Sequence, residues 1–249
     1  MMHPKKYLAF FFAFIVFVAA CGGPAERIRE TAAKSPTPPP APTEREISGS
    51  FNVNGAGENG SEPYTGLLNI VPQGDVYGFR WSTTKGSRVG VGVQSGSATA
   101  ASFASTGGGK GCGVVLFKIA SDGSLDGKIA YWGEERAGVI KATRTEGRSF
   151  VGKYSIVGNI PEGLTAFAGQ MTVTKDGQGY AIDWLQDYEQ RKDESFVAFG
   201  IWKGSVAAGS FGGRQCSFAL YDIQSNGNLE GNWGGQKAVT FGTETAKRQ

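Results

Sequence analysis

The sequence predicts an all-β fold: two tandem antiparallel meander domains, each an eight-stranded up-and-down barrel, with an open or split β-sandwich as the alternative. Three observations carry this. Glycine is abundant, 39 of 249 residues, about twice the usual share, while 40% of the residues are hydrophobic and suffice for packed cores. Apolar residues alternate with polar ones in short runs separated by turn signals. The third observation is an internal repeat. Residues 49–81 align with 152–184, sharing Gly49/Gly152, Gly55/Gly158, Gly66/Gly169, Tyr77/Tyr180 and Trp81/Trp184. Residues 112–144 align with 216–248, sharing Cys112/Cys216, Leu116/Leu220, Gly127/Gly231 and Arg144/Arg248.

In the first repeat the alternating runs fall at Phe51 and Val53, at Leu68 and Ile70, at Tyr77, Phe79 and Trp81, and at Val89, Val91 and Val93. Further segments span Ala98–Phe103, Val114–Ile119, Ser124–Ala130 and Ala137–Thr143. The second repeat matches with Tyr154 and Ile156, Met171 and Val173, Tyr180, Ile182 and Trp184, then Val197, Phe199 and Ile201. Asp122-Gly123, Asp176-Gly177 and Asn226-Gly227 lie between runs, where tight hairpins need positive φ. No stretch of helical length shows a 3.6-residue apolar period. Closing eight strands into a barrel removes both sheet edges. The domains expected are therefore 46–149 and 150–249, each with an independent core, at about the commonest domain size.

The amino end is of a different kind. Lys5 and Lys6 precede the apolar run Leu8–Val18, which ends in Ala19-Ala20-Cys21. This is the layout of an export signal, and the run is too short to span a bilayer, which takes about 20 residues. Val18-Ala19-Ala20-Cys21 resembles the lipobox of bacterial lipoproteins. The resemblance implies cleavage between Ala20 and Cys21, diacylglycerol on the Cys21 thiol and an acylated (palmitate-type) amino end, so that residues 1–20 are a signal peptide and the mature chain is lipid-anchored. Gly22 follows the cysteine, where an aspartate would resemble an inner-membrane retention mark, so the resemblance points to the cell outer membrane. Residues 21–45 carry Ser35-Pro-Thr-Pro-Pro-Pro-Ala-Pro-Thr43 and read as a polyproline II spacer between anchor and domains.

Composition narrows the chemistry. The formal net charge is +3, so no nucleic-acid partner is expected. The single histidine, His3, lies in the signal, which excludes histidine triads, histidine general bases and histidine metal sites from the mature chain. No metal site and no cofactor are expected. Cys112 and Cys216 occupy equivalent places in an exported chain; a disulfide between them requires a pseudo-twofold axis beside both, and otherwise each is a buried small apolar residue. Gln186–Glu194 is a charged stretch longer than its counterpart after Trp81; mixed signs favour a solvated hairpin loop over a Ca²⁺ or acid/base cluster. Glu244 stands opposite Ile140 of the other repeat, so its role is not common to both. Gly107-Gly108-Gly109 and Gly212-Gly213 precede no helix and match no phosphate loop. Trp81 and Trp184, on equivalent strands, are expected to fill the cores rather than to line a cavity.

Gly123-Ser-Leu-Asp-Gly127 and Gly227-Asn-Leu-Glu-Gly231 look like strand motifs of avidin-type barrels. Tyr64-Thr-Gly66, Gly74-Asp-Val-Tyr77, Trp81, Gly90-Val-Gly92 and Gly113–Phe117 resemble small exported bacterial repeats described as fibronectin-binding, which implies an adhesion or surface-binding role and carries over no site residue. The expected function is that of a non-enzymatic binding or scaffold module anchored in the cell envelope, its partner an envelope or host-surface protein. The alternative is a carrier holding a small hydrophobic ligand inside one barrel.

Overall fold

The computed structural model describes residues 44–57, 60–105, 110–161, 165–187, 194–213, 215–236, 238 and 240–249. The expected signal peptide, the lipobox-like residues 18–21 and nearly all of the expected proline-rich spacer lie outside them. So does the centre of the charged stretch, residues 188–193. Sixteen strands follow in order: β1 Gly49–Ala56, β2 Tyr64–Gln73, β3 Val76–Thr83, β4 Gly86–Ser95, β5 Ala98–Ser105, β6 Gly113–Ile119, β7 Leu125–Tyr131, β8 Gly138–Arg148, β9 Val151–Asn159, β10 Ala166–Asp176, β11 Gly179–Asp187, β12 Glu194–Lys203, β13 Val206–Phe211, β14 Ser217–Ile223, β15 Leu229–Gly235 and β16 Gly242–Arg248.

They close into two antiparallel eight-stranded barrels, the fold class that the sequence predicts. The strand membership, however, ignores the repeat boundary. One barrel consists of β6 to β13 in unbroken succession, closed where β13 pairs with β6; we call it the continuous barrel. The other consists of β1 to β5 and β14 to β16, closed where β5 pairs with β14 and β1 with β16; we call it the split barrel. Each repeat thus lends its last three strands to the other repeat's first five. The expected domain limits, 46–149 and 150–249, are corrected accordingly: neither half contains a closed barrel of its own in this structure. The physical reason is that β6 and β14 are equivalent strands, so either offers β5 or β13 the same pairing edge, and the Ser102–Phe218 and Ser210–Val114 registers are counterparts.

The two lumens are filled in one-to-one correspondence. Leu68, Phe79, Trp81, Phe103, Leu229 and Ala246 in the split barrel answer to Met171, Ile182, Trp184, Phe211, Leu125 and Ala142 in the continuous one. Trp81 and Trp184 are both buried, as expected of core fillers. The lower pole is sealed by a residue just ahead of β1 in the split barrel and of β9 in the continuous one: Ile47 and its counterpart Phe150 are both fully buried. An arginine clamps each seal. Arg248 donates to the carbonyls of Ser48 and Glu46 and lies over Phe51, while Arg144 donates to the Ser149 carbonyl and lies over Tyr154.

A third apolar cluster forms where the barrels meet. Val91, Val93, Ala98 and Ala100 point out of the split barrel together with Phe218 and Leu220, and pack against Val114, Leu116, Phe199, Ile201 and Ala208 of the continuous one. This is why β5, β6, β13 and β14 are buried along almost their whole length, on both faces. Alanines outside and rings inside let two curved walls approach closely. Two pairs of equivalent residues meet here. The Ser102 and Ser210 hydroxyls hydrogen-bond at 2.6 Å, and Cys112 and Cys216 form a disulfide with Cα atoms 5.6 Å apart. Equivalent residues touch only at an axis of pseudo-twofold symmetry, so the condition for the bond is met. The bridge joins the residue before β6 to the residue before β14, the two places where the chain crosses between barrels.

The exchange makes two predictions. A fragment 110–213, cut to the continuous barrel, retains a cooperative unfolding transition, whereas 150–249, cut to the repeat and of similar length, does not; the reverse result contradicts the topology. Because the disulfide closes a loop around the whole continuous barrel, Cys112→Ser should lower stability by about 2–5 kcal/mol in chemical denaturation. A change below about 1 kcal/mol means that the crossing points hold without it.

Candidate functional site

The upper pole of the split barrel departs from its copy. Here Tyr64 opens β2, Trp81 and Phe103 stand near the ends of β3 and β5, Arg88 near the start of β4, Trp233 near the end of β15 and Glu244 near the start of β16. The Glu244 side chain is buried, 5% exposed, and takes three hydrogen bonds from aromatic donors. Tyr221 Oη donates to Oε1 at 2.5 Å, Trp81 Nε1 to Oε1 at 3.0 Å and Tyr64 Oη to Oε2 at 2.6 Å. A buried carboxyl must have its oxygens satisfied, and these three donors do so from three different strands. Backbone space is reserved for the rings. A Cβ on Gly55 would lie 2.4 Å from the Tyr64 ring, and one on Gly242 2.4 Å from the Trp233 indole.

Desolvation, then the nearby Glu244, pushes the Tyr64 and Tyr221 hydroxyls well above the ordinary phenol range. Arg88 acts the opposite way on Tyr64, which places its charge near that hydroxyl. The Arg88 guanidinium reaches across the lumen and lies over the Phe103 ring at 5.5 Å and the Trp233 ring at 5.1 Å. Trp233 in turn meets Tyr64 edge to face at 6.3 Å. Half-buried Arg88 has neither a hydrogen-bond acceptor nor an ion-pair partner among the described residues.

In the continuous barrel the corresponding positions carry hydrocarbon. Phe167 stands for Tyr64, Phe117 for Tyr221, Ile140 for Glu244 and Ile129 for Trp233, and the residue opposite Trp184 is Phe196 where Trp81 faces Arg88. The tryptophan and the phenylalanine pair Phe103 and Phe211 are common to both. The same architecture therefore closes with no polar group at these places, and the split barrel's set is an addition to it.

Of the residues singled out in the sequence, Cys112 and Cys216 are bonded, and Trp81 belongs to the pole as a donor as well as a filler. Glu244 stands out in the sequence by its asymmetry alone; its partners lie 180, 163 and 23 residues away along the chain, so spacing does not reveal them. Arg88, Tyr64, Tyr221 and Trp233 were missed as a group. The available signal was the exchange of polar for apolar residues between aligned repeats. Cys21, the Gly107–Gly109 cluster and the centre of the charged stretch lie outside the described residues. Comparison with family models, with curated proteins and with solved structures finds no match to this chain.

Two predictions test the network. Glu244→Ile strands three buried donors, each worth about 1–3 kcal/mol when left unpaired, and should destabilise the split barrel by at least about 3 kcal/mol. Adding Tyr64→Phe and Tyr221→Phe transplants the other barrel's set and should restore more than half of that loss; a triple variant no better than the single one contradicts the account. In alkali, folding holds Tyr64 and Tyr221 protonated above the phenol pKa of the unfolded chain, so stability falls as pH rises past about 10. Phenolate absorbance should show these two tyrosines titrating only with unfolding, after the less buried ones such as Tyr131.

Proposed function

We propose that this protein is a lipid-tethered, non-enzymatic binding module of the cell envelope, and that its ligand engages the upper pole of the split barrel. The observation that supports this is the asymmetry between copies. A buried polar network is no more stabilising than well-packed hydrocarbon of similar volume, and the continuous barrel uses the hydrocarbon. The polar set at the split barrel's pole is therefore better explained by recognition than by folding.

The route of the chain agrees with a tether. Residues 44–48 enter at the lower pole of the split barrel, where Arg45 donates to the Ile223 carbonyl, Gln94 Nε2 donates to the Arg45 carbonyl at 2.6 Å and Ile47 plugs the lumen. An anchor at Cys21 would reach the barrels through the segment that enters at this pole, away from the polar one. The absence of histidine from the mature chain supports a binding role over catalysis. The reading of a hydrophobic-ligand carrier has less support, because buried rings such as Trp184, Phe211 and Phe117 occupy the continuous barrel's lumen.

Two experiments decide. Cys21→Ser should move the protein out of the membrane fraction or leave an uncleaved precursor; a mutant that still fractionates as lipidated wild type refutes the tether. Native mass spectrometry of the chain after exposure to a cell-envelope extract should show an adduct on wild type that disappears in the Tyr64→Phe/Tyr221→Phe/Glu244→Ile/Arg88→Phe variant. Identical spectra for the two proteins refute the pole as the binding site.

A further inference from the structure

We infer that the Arg88 guanidinium is the anchor for a small organic monoanion, a carboxylate attached to a flat apolar body, bound at the upper pole of the split barrel. This rests on the reading of that pole as a binding site and specifies what it takes.

The argument starts from donors. A guanidinium presents five N–H groups in a planar fork that matches a carboxylate in bidentate fashion. Arg45 spends such donors on the Ile223 carbonyl, and Arg248 spends its own on those of Ser48 and Glu46. Among the described residues Arg88 spends none: its partners are the faces of Phe103 and Trp233. Contact with two ring faces confines the guanidinium and strips part of its water while satisfying no N–H group. A fork that is oriented, partly dehydrated and unpaired favours an incoming oxyanion, since little ordering remains to be done on binding.

The surroundings select the rest of the ligand. Half-buried Trp233, backed edge to face by the buried Tyr64 ring at 6.3 Å, offers aromatic surface to a flat apolar body. Glu244 shares the lumen and accepts three hydrogen bonds from the protein, so it adds a carboxyl group there and no spare donor. Like-charge repulsion from an acidic neighbour grows with ligand charge, which favours a monoanionic carboxylate over a dianionic phosphate. Among the described residues the continuous barrel shows no such arrangement, and by strand register Phe196 stands where Arg88 does.

The test is calorimetric titration of the full chain with benzoate, with its uncharged isostere benzamide and with inorganic phosphate. Saturable binding of benzoate is expected, with benzamide and phosphate each at least tenfold weaker. Arg88→Gln should weaken benzoate at least tenfold, and Arg88→Lys, which keeps the charge without the fork, should fall between. Arg80→Gln, a change at an exposed position on β3, should leave affinity unchanged, and thermal melts of each variant confirm folding. Equal binding of benzoate and benzamide by wild type, or undiminished benzoate binding by folded Arg88→Gln and Arg88→Lys, overturns the oxyanion anchor while leaving the pole as a site. Absence of saturable benzoate binding overturns the anchor outright, and the extract adducts described above then judge the pole independently.

Discussion

A β-barrel is free of exposed edges only when its last strand finds its first, and in this protein that closure is made between repeats. The β5 edge of the first repeat is covered by β14 of the second, and the β13 edge of the second by β6 of the first. Without these two pairings neither barrel closes, the lumens do not fill, and four strands lose the burial of both their faces. The remaining features gather round this one. The chain must cross between barrels twice, the crossings meet at the pseudo-twofold axis, and the axis brings Cys112 to Cys216 and Ser102 to Ser210.

Exchange also explains why the molecule is one unit rather than two beads. Residues outward-facing in an isolated barrel would be polar, yet on β4, β5, β6, β13 and β14 they are valine, alanine, leucine and phenylalanine, gathered into a shared core. The polypeptide from residue 113 to 211 is an insertion within the split barrel, and the disulfide closes that insertion at its base. Removing the insertion's partner strands would expose both a sheet edge and an apolar wall, which couples the two barrels energetically.

Much of this architecture was legible in the sequence. Period-2 runs such as Tyr77-Phe79-Trp81 give strand faces, Asp122-Gly123 and Asn226-Gly227 give turns, and the paired glycines and tryptophans give the repeat. Which strand closes which barrel was not legible, because homologous strands carry the same edge pattern and local sequence cannot choose between them. A clue was present in Ala98–Ala104 and Gly113–Phe117, which lack the polar alternation of a strand facing water on one side. The site was legible only as a difference: Glu244 against Ile140 stood out, but the phenols and indole that surround it come from distant strands, and only the fold brings them together.

The central claim is that the repeats exchange their last three strands, and cross-strand nuclear Overhauser contacts far from the pseudo-twofold axis test it most directly. The account predicts backbone contacts between Thr99 and Tyr221 and between Ala207 and Phe117. Contacts between Thr99 and Phe117, together with contacts between Ala207 and Tyr221, would mean that each repeat closes on itself and would contradict it.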